Sequence, residues 1–392
     1  MKKNLSLFTF IGLIAGIFFG LLLPQYTGKI SFIGSFYISF LKYLIVPVVF
    51  TSISVSIYDS KNLKNRLVLK TIAVFVIMFI ATFLLSSAII LIVDPAKDFV
   101  FENVEWNGNT TSFDIAGVFA NLIPRDLNKF LTGSYLFTVI IISFIFGYLC
   151  TLHEKGNSLI TIIRKIKEFL FKVLEYFMYL TPLAVFSLIS NTVSKYGTVL
   201  LGVGVRYIGC AYLCALATLI LIMILPVLLI RKMSPMTFLK KVNKIWLMTI
   251  TTCSSSATLP YTIKVCQEEF NIPEEITDVV VPLGCTIHMC GGAVSFSLLG
   301  LFCSRLFNVD IDLAKYLMMI IAAVAINMSA PGIPNGGVVI GASYLQMLGI
   351  PLDFIGFYSG IYKLLDMVYT SLNVTGDITA NVIINELSKR KD

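Results

Sequence analysis

The chain has 392 residues, 57% of them hydrophobic and only 13% charged, with a mean hydropathy of +0.87. Soluble domains carry about 25% charged residues, so a water-soluble enzyme or binding domain is excluded. The formal net charge of +8 sits in short clusters between apolar stretches, and no segment is soluble enough to offer the continuous basic face that nucleic acid requires.

Apolar stretches long enough to cross a bilayer recur near 5–24, 30–57, 71–93, 133–150, 174–192, 205–230, 278–302, 313–328 and 353–384. The first resembles a signal peptide, but it lacks a small-residue cleavage site and more spans follow, so it reads as a first membrane helix. Pro47 lies inside the second stretch (YLIVPVVF) and predicts a kink there. The connections around 25–29, 94–116 and 193–200 carry few basic residues. Lys2 and Lys3, Lys61 to Lys70, Lys155 to Lys167, Arg231 to Lys244, and Lys389 to Lys391 mark the other connections. The positive-inside rule then places both termini in the cytoplasm, and the compact loops and short termini point to a bacterial inner membrane. The loop 94–117 contains Asn109-Thr110-Thr111, a glycosylation acceptor only in a secretory route, and no cysteine. Residues 159–173 are amphipathic and read as an interfacial segment feeding the next span. The eight cysteines lie mostly inside apolar spans and have only His153 and His288 as histidine company, so they read as free buried thiols.

From residue 235 the texture changes. An apolar arm ends at Thr251-Thr252-Cys253-Ser254-Ser255-Ser256, and a second arm runs to about 270. Residues 312–347 repeat that shape around Ser329-Ala330-Pro331-Gly332-Ile333-Pro334-Asn335-Gly336-Gly337. Broken helix inside a bilayer leaves backbone N–H and C=O groups that only protein or a watery cavity can satisfy. Paired interruptions point to a substrate site at mid-membrane depth. Each hairpin is followed by a long helix, 273–303 and 353–387. This is a two-fold repeat of architecture without detectable sequence identity.

Two local patterns carry chemistry. Lys363, Asp366, Thr370, Asn373 and Asp377 are spaced 3, 4, 3 and 4, which places them on one helix face. Such a polar stripe in a membrane marks a pathway or site, or else a set of interhelical pairs, with Lys363–Asp366 one such pair. Gly284-Cys285-Thr286-Ile287-His288-Met289-Cys290-Gly291-Gly292 predicts unwinding in mid-membrane, where freed carbonyls can coordinate a cation. His288 serves there as packing or as a proton-handling group.

At these residues the chain resembles the glutamate transporter family, the dicarboxylate/amino acid:cation symporters. SSSATLP at 254–260, NVTGD at 373–377, LDM at 365–367, KYLIVPVVFTS at 42–52 and YLTPLAVFSLI at 179–189 carry the resemblance, which runs nearly end to end. It implies an all-α integral membrane protein with eight transmembrane helices plus two re-entrant helical hairpins. It also implies an inverted-repeat, elevator-type transporter assembled as a homotrimer in lipid. On that frame, 1–70 are scaffold helices 1 and 2, 71–93 is transport-domain helix 3, and 94–200 are scaffold helices 4 and 5 with the extracellular loop. Residues 201–392 are the transport domain, comprising helix 6, hairpin 1 (about 235–270), helix 7 (about 273–303), hairpin 2 (about 312–347) and helix 8 (about 353–387).

The same resemblance assigns substrate contacts to Ser254, Ser255 and Ser256, to Ile333, Pro334 and Gly337 of the gate, and to Asp366, Tyr369, Thr370 and Asn373. Asp366 is expected on the substrate ammonium. Asn373 and hairpin N–H groups near Ser255 are expected on the α-carboxylate. Sodium is the expected coupling ion, held partly by backbone at Gly284, Thr286, His288, Met289 and Asn373 and by the Asp377 carboxylate. No cofactor is expected.

The departures from the pattern are specific. Acidic carriers place an Arg where this chain has Tyr369, and a Thr where it has Gly292. Some members have an Arg where it has Cys253. One sodium site of the family needs an Asp at Cys290 and polar residues where an ungapped reading gives Phe75, Met78 and Phe79. An unpaired buried carboxylate costs several kcal/mol, so neutral amino acids are the expected substrates, with fewer sodium ions than in acidic carriers. A proton-coupled or uncoupled carrier of the same fold is the alternative. Lys363 stands near the dismantled ion site as a possible tethered charge. An intramembrane hydrolase built on Ser255 and His288 lacks a third orienting residue and a defined oxyanion hole, and no filter-like motif supports a channel.

Overall fold

A computed structural model describes residues 5–59, 66–97, 99, 136–153, 155–197, 199–327 and 336–389. Every regular element among them is helical. The Asn109 sequon, Lys2, Lys3, Lys61, Lys64, Arg390, Lys391, Ile333 and Pro334 lie outside the described residues.

The first two helices, α1 (Leu5–Leu22) and α2 (Pro24–Asp59), are separated by Leu23 alone. The connection expected at 25–29 is therefore helical. Pro24 opens α2, where its missing N–H costs nothing because the first turn has no partner for it. The helix runs through Pro47, and Thr51 Oγ1 donates to the Pro47 carbonyl at 2.8 Å. Next come α3 (Arg66–Val93), α4 (Leu136–Leu152), the amphipathic α5 (Gly156–Phe177) and α6 (Thr181–Tyr196). The helix α7 (Val199–Thr218) continues through a π-helical turn, Leu219–Ile224, into α8 (Leu225–Arg231).

Gly12, Gly16 and Gly20 seat α1 on α6. A Cβ at Gly16 would stand 2.8 Å from the Phe186 carbonyl oxygen, and one at Gly20 would stand 2.6 Å from that of Ser190. Small residues four apart let two membrane helices approach backbone to backbone.

The C-terminal half consists of helix pairs and the helices that follow them. The pair α9 (Pro235–Thr252) and α10 (Ser255–Glu268) occupies the stretch expected for hairpin 1. Its turn is explained by local chemistry. Ser234 caps α9 by accepting the Thr237 N–H at 3.3 Å, with Pro235 in the first turn. Cys253 ends α9 in the left-handed region at φ 47°, and Ser254 then caps α10 through the Ala257 N–H at 3.2 Å. Glycine is the usual residue at such a helix end; here a cysteine holds it, at a strain of about 1–2 kcal/mol.

The expected unwinding at His288 is present. Helix α11 (Glu274–Ile287) stops, His288 is extended (φ −113°), Met289 is non-helical (φ −134°), and α12 (Cys290–Leu306) begins. Then come α13 (Leu313–Asn327) and α14 (Gly336–Met347), followed by the 35-residue α15 (Ile355–Lys389).

Helix α15 is the spine of this half, packed against α9, α11, α12, α14, α7 and α3. Polar crosslinks hold the register. Trp246 Nε1 donates to Thr375 Oγ1 at 2.9 Å, Thr249 and Ser371 share a 2.7 Å hydrogen bond, and Asn381 Nδ2 donates to Thr277 Oγ1 at 3.1 Å. At the far end of the α9–α10 pair, Lys244 bonds Glu269 at 2.7 Å and holds its carboxyl below the usual range, while the Lys241 ammonium and the Arg231 guanidinium donate to the Glu269 and Phe270 carbonyls. The Lys244–Glu269 pair, exposed on the lysine side, contributes little stability by itself.

The burial pattern is that of a protein dissolved in lipid. Ile92 is 84% exposed and Leu247 72%, whereas His288 and Asp377 are 1% and 2% exposed. Helical stretches Leu67–Val93, Gly202–Arg231 and Glu274–Leu306 are each long and apolar enough to cross a membrane.

Candidate functional site

A cavity of about 50 Å³ lies where the turn of α9–α10, the α11–α12 break, the ends of α13 and α14, and the middle of α15 converge. Its lining includes Cys253, Ser255, Met289, Gly291, Gly292, Asn327, Gly337, Tyr362, Asp366, Tyr369, Thr370 and Asn373. Of the expected substrate contacts, Ser255, Gly337, Asp366, Tyr369, Thr370 and Asn373 are brought together here. Ser254 instead caps α10, and Ser256 takes the Cys285 thiol at 3.8 Å. Asp366, 7% exposed, accepts from Thr370 Oγ1 at 3.4 Å. Asn373 Oδ1 accepts the Gly291 N–H at 2.7 Å. Its remaining group is the NH₂ donor, the kind a carboxylate requires. Among the described lining residues there is one carboxylate, Asp366, and no Lys, Arg or His.

Lys363, one turn before Asp366, reaches the hairpin turn. Its Nζ lies 2.9 Å from Cys253 Sγ. The left-handed backbone at Cys253 aims that thiol at α15.

Beneath the cavity sits the expected cation region. His288 Nδ1 and Asp377 Oδ1 are 2.9 Å apart, and Cys290 Sγ is 3.2 Å from His288 Nε2. Phe75 of α3 stacks on the imidazole with centroids 4.4 Å apart and planes 9° from parallel. The ungapped reading that put Phe75 in this region is consistent with that stack. Two glycines make the close packing possible: a Cβ at Gly284 would strike Asp377 Oδ1, and one at Gly376 would lie 2.9 Å from His288 Cε1. One carboxylate oxygen expected to receive sodium is thus engaged by imidazole. Thr286 is exposed, its hydroxyl donating to the Leu283 carbonyl at 2.8 Å.

Three features escaped the sequence reading. Asn327, at the end of α13, lines the cavity. The π-helical turn of α7 brings Met223 toward Gly376, and π turns are frequent at functional sites. The glycine stripe of α1 was legible as Gly12-x-x-x-Gly16-x-x-x-Gly20; a search for four-residue glycine spacing finds it.

Helices that enclose polar residues and expose apolar ones, around a small charged cavity flanked by broken helix, define a membrane transporter. The chain belongs to the sodium:dicarboxylate symporter family, whose model matches residues 5–387. It is 24% identical over 405 residues to the proton/sodium-glutamate symport protein of Bacillus subtilis (strain 168), covering 98% of this chain and 93% of that protein. To the proton/glutamate-aspartate symporter of Escherichia coli (strain K12) it is 25% identical over 397 residues, covering 92% and 85%. To excitatory amino acid transporter 3 of Oryctolagus cuniculus it is 21% identical over 458 residues, covering 100% and 87%. It is a membrane symporter of the glutamate transporter family.

Proposed function

We propose that the protein carries neutral amino acids across a bacterial inner membrane in symport with a cation. The carrying observation is the charge of the cavity, whose described lining holds Asp366 as its one carboxylate and no Lys, Arg or His; the resemblance sets Tyr369 at the position of the guanidinium of acidic carriers. The ammonium faces Asp366, and the α-carboxylate faces the Asn373 amide and the N–H groups at the start of α10. A second substrate carboxylate would enter beside Asp366 without a lining cation, and a buried unpaired charge is costly.

The family architecture supports the rest of the reading. It comprises eight transmembrane helices with α9–α10 and α13–α14 as re-entrant hairpins, and a transport domain built on α3 and residues 201–392 that moves elevator-fashion. The scaffold is supplied by helices 1, 2, 4 and 5, with both termini cytoplasmic and three copies per assembly.

Coupling centres on Asp377. A carboxylate 2% exposed is stable with a partner charge or as the neutral acid. Sodium supplies the charge in the first reading, with Gly284, Met289 and Asn373 contributing backbone oxygen. The contact of His288 with Asp377 favours a second reading, in which a proton on the imidazole supplies that charge. The relatives' names include both ions. Those names also specify glutamate and aspartate. A cation close to the cavity wall is Lys363, whose Nζ lies 2.9 Å from the lining residue Cys253.

Uptake into proteoliposomes tests the substrate class and the coupling ion. Sodium and pH gradients are imposed separately, and labelled neutral and acidic amino acids compete. Neutral substrates driven by either gradient uphold the proposal. Uptake of glutamate that alanine and serine do not inhibit overturns it.

A further inference from the structure

We infer that Asn327 is a positioning residue that meets the Ile287 carbonyl with an amide N–H, so that α13 is tied to the α11–α12 break by a side chain and that oxygen is withheld from a coupling cation. This rests on the cation-symport reading above and deepens it.

In an unbroken helix the Gly291 N–H would bond the Ile287 carbonyl, four residues back. The break parts the two groups, and two asparagines from other helices take one each. Asn373 of α15 accepts the Gly291 N–H through Oδ1 at 2.7 Å. Asn327, the last residue of α13, donates from Nδ2 to the Ile287 oxygen at 3.3 Å. A carboxamide carries both an acceptor and a donor, so one residue type serves either half. Helix ends inside a membrane protein need such partners, and here each partner is anchored on a different helix.

Gly292 makes the arrangement possible. A Cβ there would strike Asn327 Oδ1. Asn327 is 2% exposed, and its Oδ1 has no donor among the described residues. The residue that reads from sequence as a lost threonine hydroxyl is, in the fold, the space that lets the amide lie with its NH₂ toward Ile287.

That orientation has an electrostatic consequence. Unwound carbonyls in transporter helices coordinate cations, and hard cations take oxygen ligands. The group facing the Ile287 oxygen is instead a donor with partial positive charge. Turned over, the amide would set Oδ1 against the Ile287 oxygen, two acceptors that only a cation could bridge. With Nδ2 inward, the contact closes without an ion, and the Asp377 carboxylate is left as the anchor of at most one.

The test is equilibrium binding of labelled L-alanine, or of labelled L-glutamate if that is what binds, to the purified full-length protein. Sodium is varied at constant ionic strength and mildly alkaline pH. For the unmodified protein, the slope of log affinity against log sodium should be about one or less. A slope of about two or more overturns the inference without recourse to a variant. Asn327→Asp keeps the shape but turns an oxygen to Ile287. It should bind about fivefold or more weakly at low sodium, recover as sodium rises, and show a steeper slope than the unmodified protein. Asn327→Ala and Gly292→Ala, which lose the tie without adding an oxygen, should weaken binding by a similar factor and leave the slope unchanged. An Asn327→Asp protein with the unmodified affinity and slope overturns the inference, as does one whose lost affinity sodium does not restore. Uptake that neither a sodium nor a pH gradient drives removes the underlying symport reading, a different failure from a steep sodium slope.

Discussion

His288 Nδ1 lies 2.9 Å from Asp377 Oδ1, and both side chains are fully enclosed. A buried carboxylate beside an imidazole is stable when one positive charge is shared between them, and breaking such a pair from one side costs about 3–5 kcal/mol. Sodium and the imidazolium proton are thus alternative occupants of one electrostatic role. Asp377→Asn removes the demand for either. That variant is expected to retain substrate exchange and lose concentrative uptake, measured as counterflow against gradient-driven accumulation in the same vesicles. Full gradient-driven accumulation by Asp377→Asn would show that coupling lies elsewhere.

Asp366 is the one lining carboxylate. Replacement by Asn keeps the shape and removes the charge that meets the ammonium. Losing one partner of a desolvated pair costs about 2–5 kcal/mol, so substrate affinity should fall at least about 30-fold while thermal unfolding shifts little. Unchanged affinity would reassign Asp366 to a structural partner.

Tyr369→Arg restores the guanidinium found in acidic carriers. The variant should gain glutamate or aspartate binding and lose neutral substrates, read by competition. The gain is expected to be partial, because Asn327 still presents an acceptor to the incoming carboxylate. Adding Gly292→Thr should displace Asn327, since even a Cβ collides with its oxygen, and should raise acidic affinity further. A double variant no better than Tyr369→Arg alone would count against that steric account.

The helix pairs, the break at His288 and the polar face of α15 were legible because each has a local cause. A serine run and a left-handed Cys253 end α9, glycines flank the break, and a 3,4 spacing marks one helix face. The contacts that define the site were not legible. Asn327 follows an apolar arm and looks like a helix end. Its role depends on Gly292 and Ile287, 35 and 40 residues earlier in the chain. Likewise the sequence placed Lys363 at a spacing that suits a pair with Asp366, whereas its Nζ sits 2.9 Å from Cys253, 110 residues away. The connection anticipated at 25–29 failed for a different reason. Pro24, whose missing N–H costs nothing in a first turn, starts α2 there.

The packing of α1 on α6 gives a prediction with its own control. A Cβ at Gly16 would lie 2.8 Å from the backbone oxygen of Phe186 and 3.2 Å from Ile189 Cβ. Neither atom is the end of a flexible side chain, so relief requires the two helices to separate. Gly→Ala by itself favours a helix by about 0.5–1 kcal/mol, while overpacking costs about 1–3 kcal/mol. The clash wins, and Gly16→Ala should destabilise the protein by about 1–2 kcal/mol on these magnitudes. At Gly28, also helical, nothing lies within 4 Å of the added Cβ. Gly28→Ala has only the propensity term and should leave stability equal or slightly raised. Both are measured as thermal or denaturant unfolding of detergent-solubilised protein. If Gly16→Ala proved as stable as Gly28→Ala, the close approach of α1 to α6 would not be a constraint on the fold.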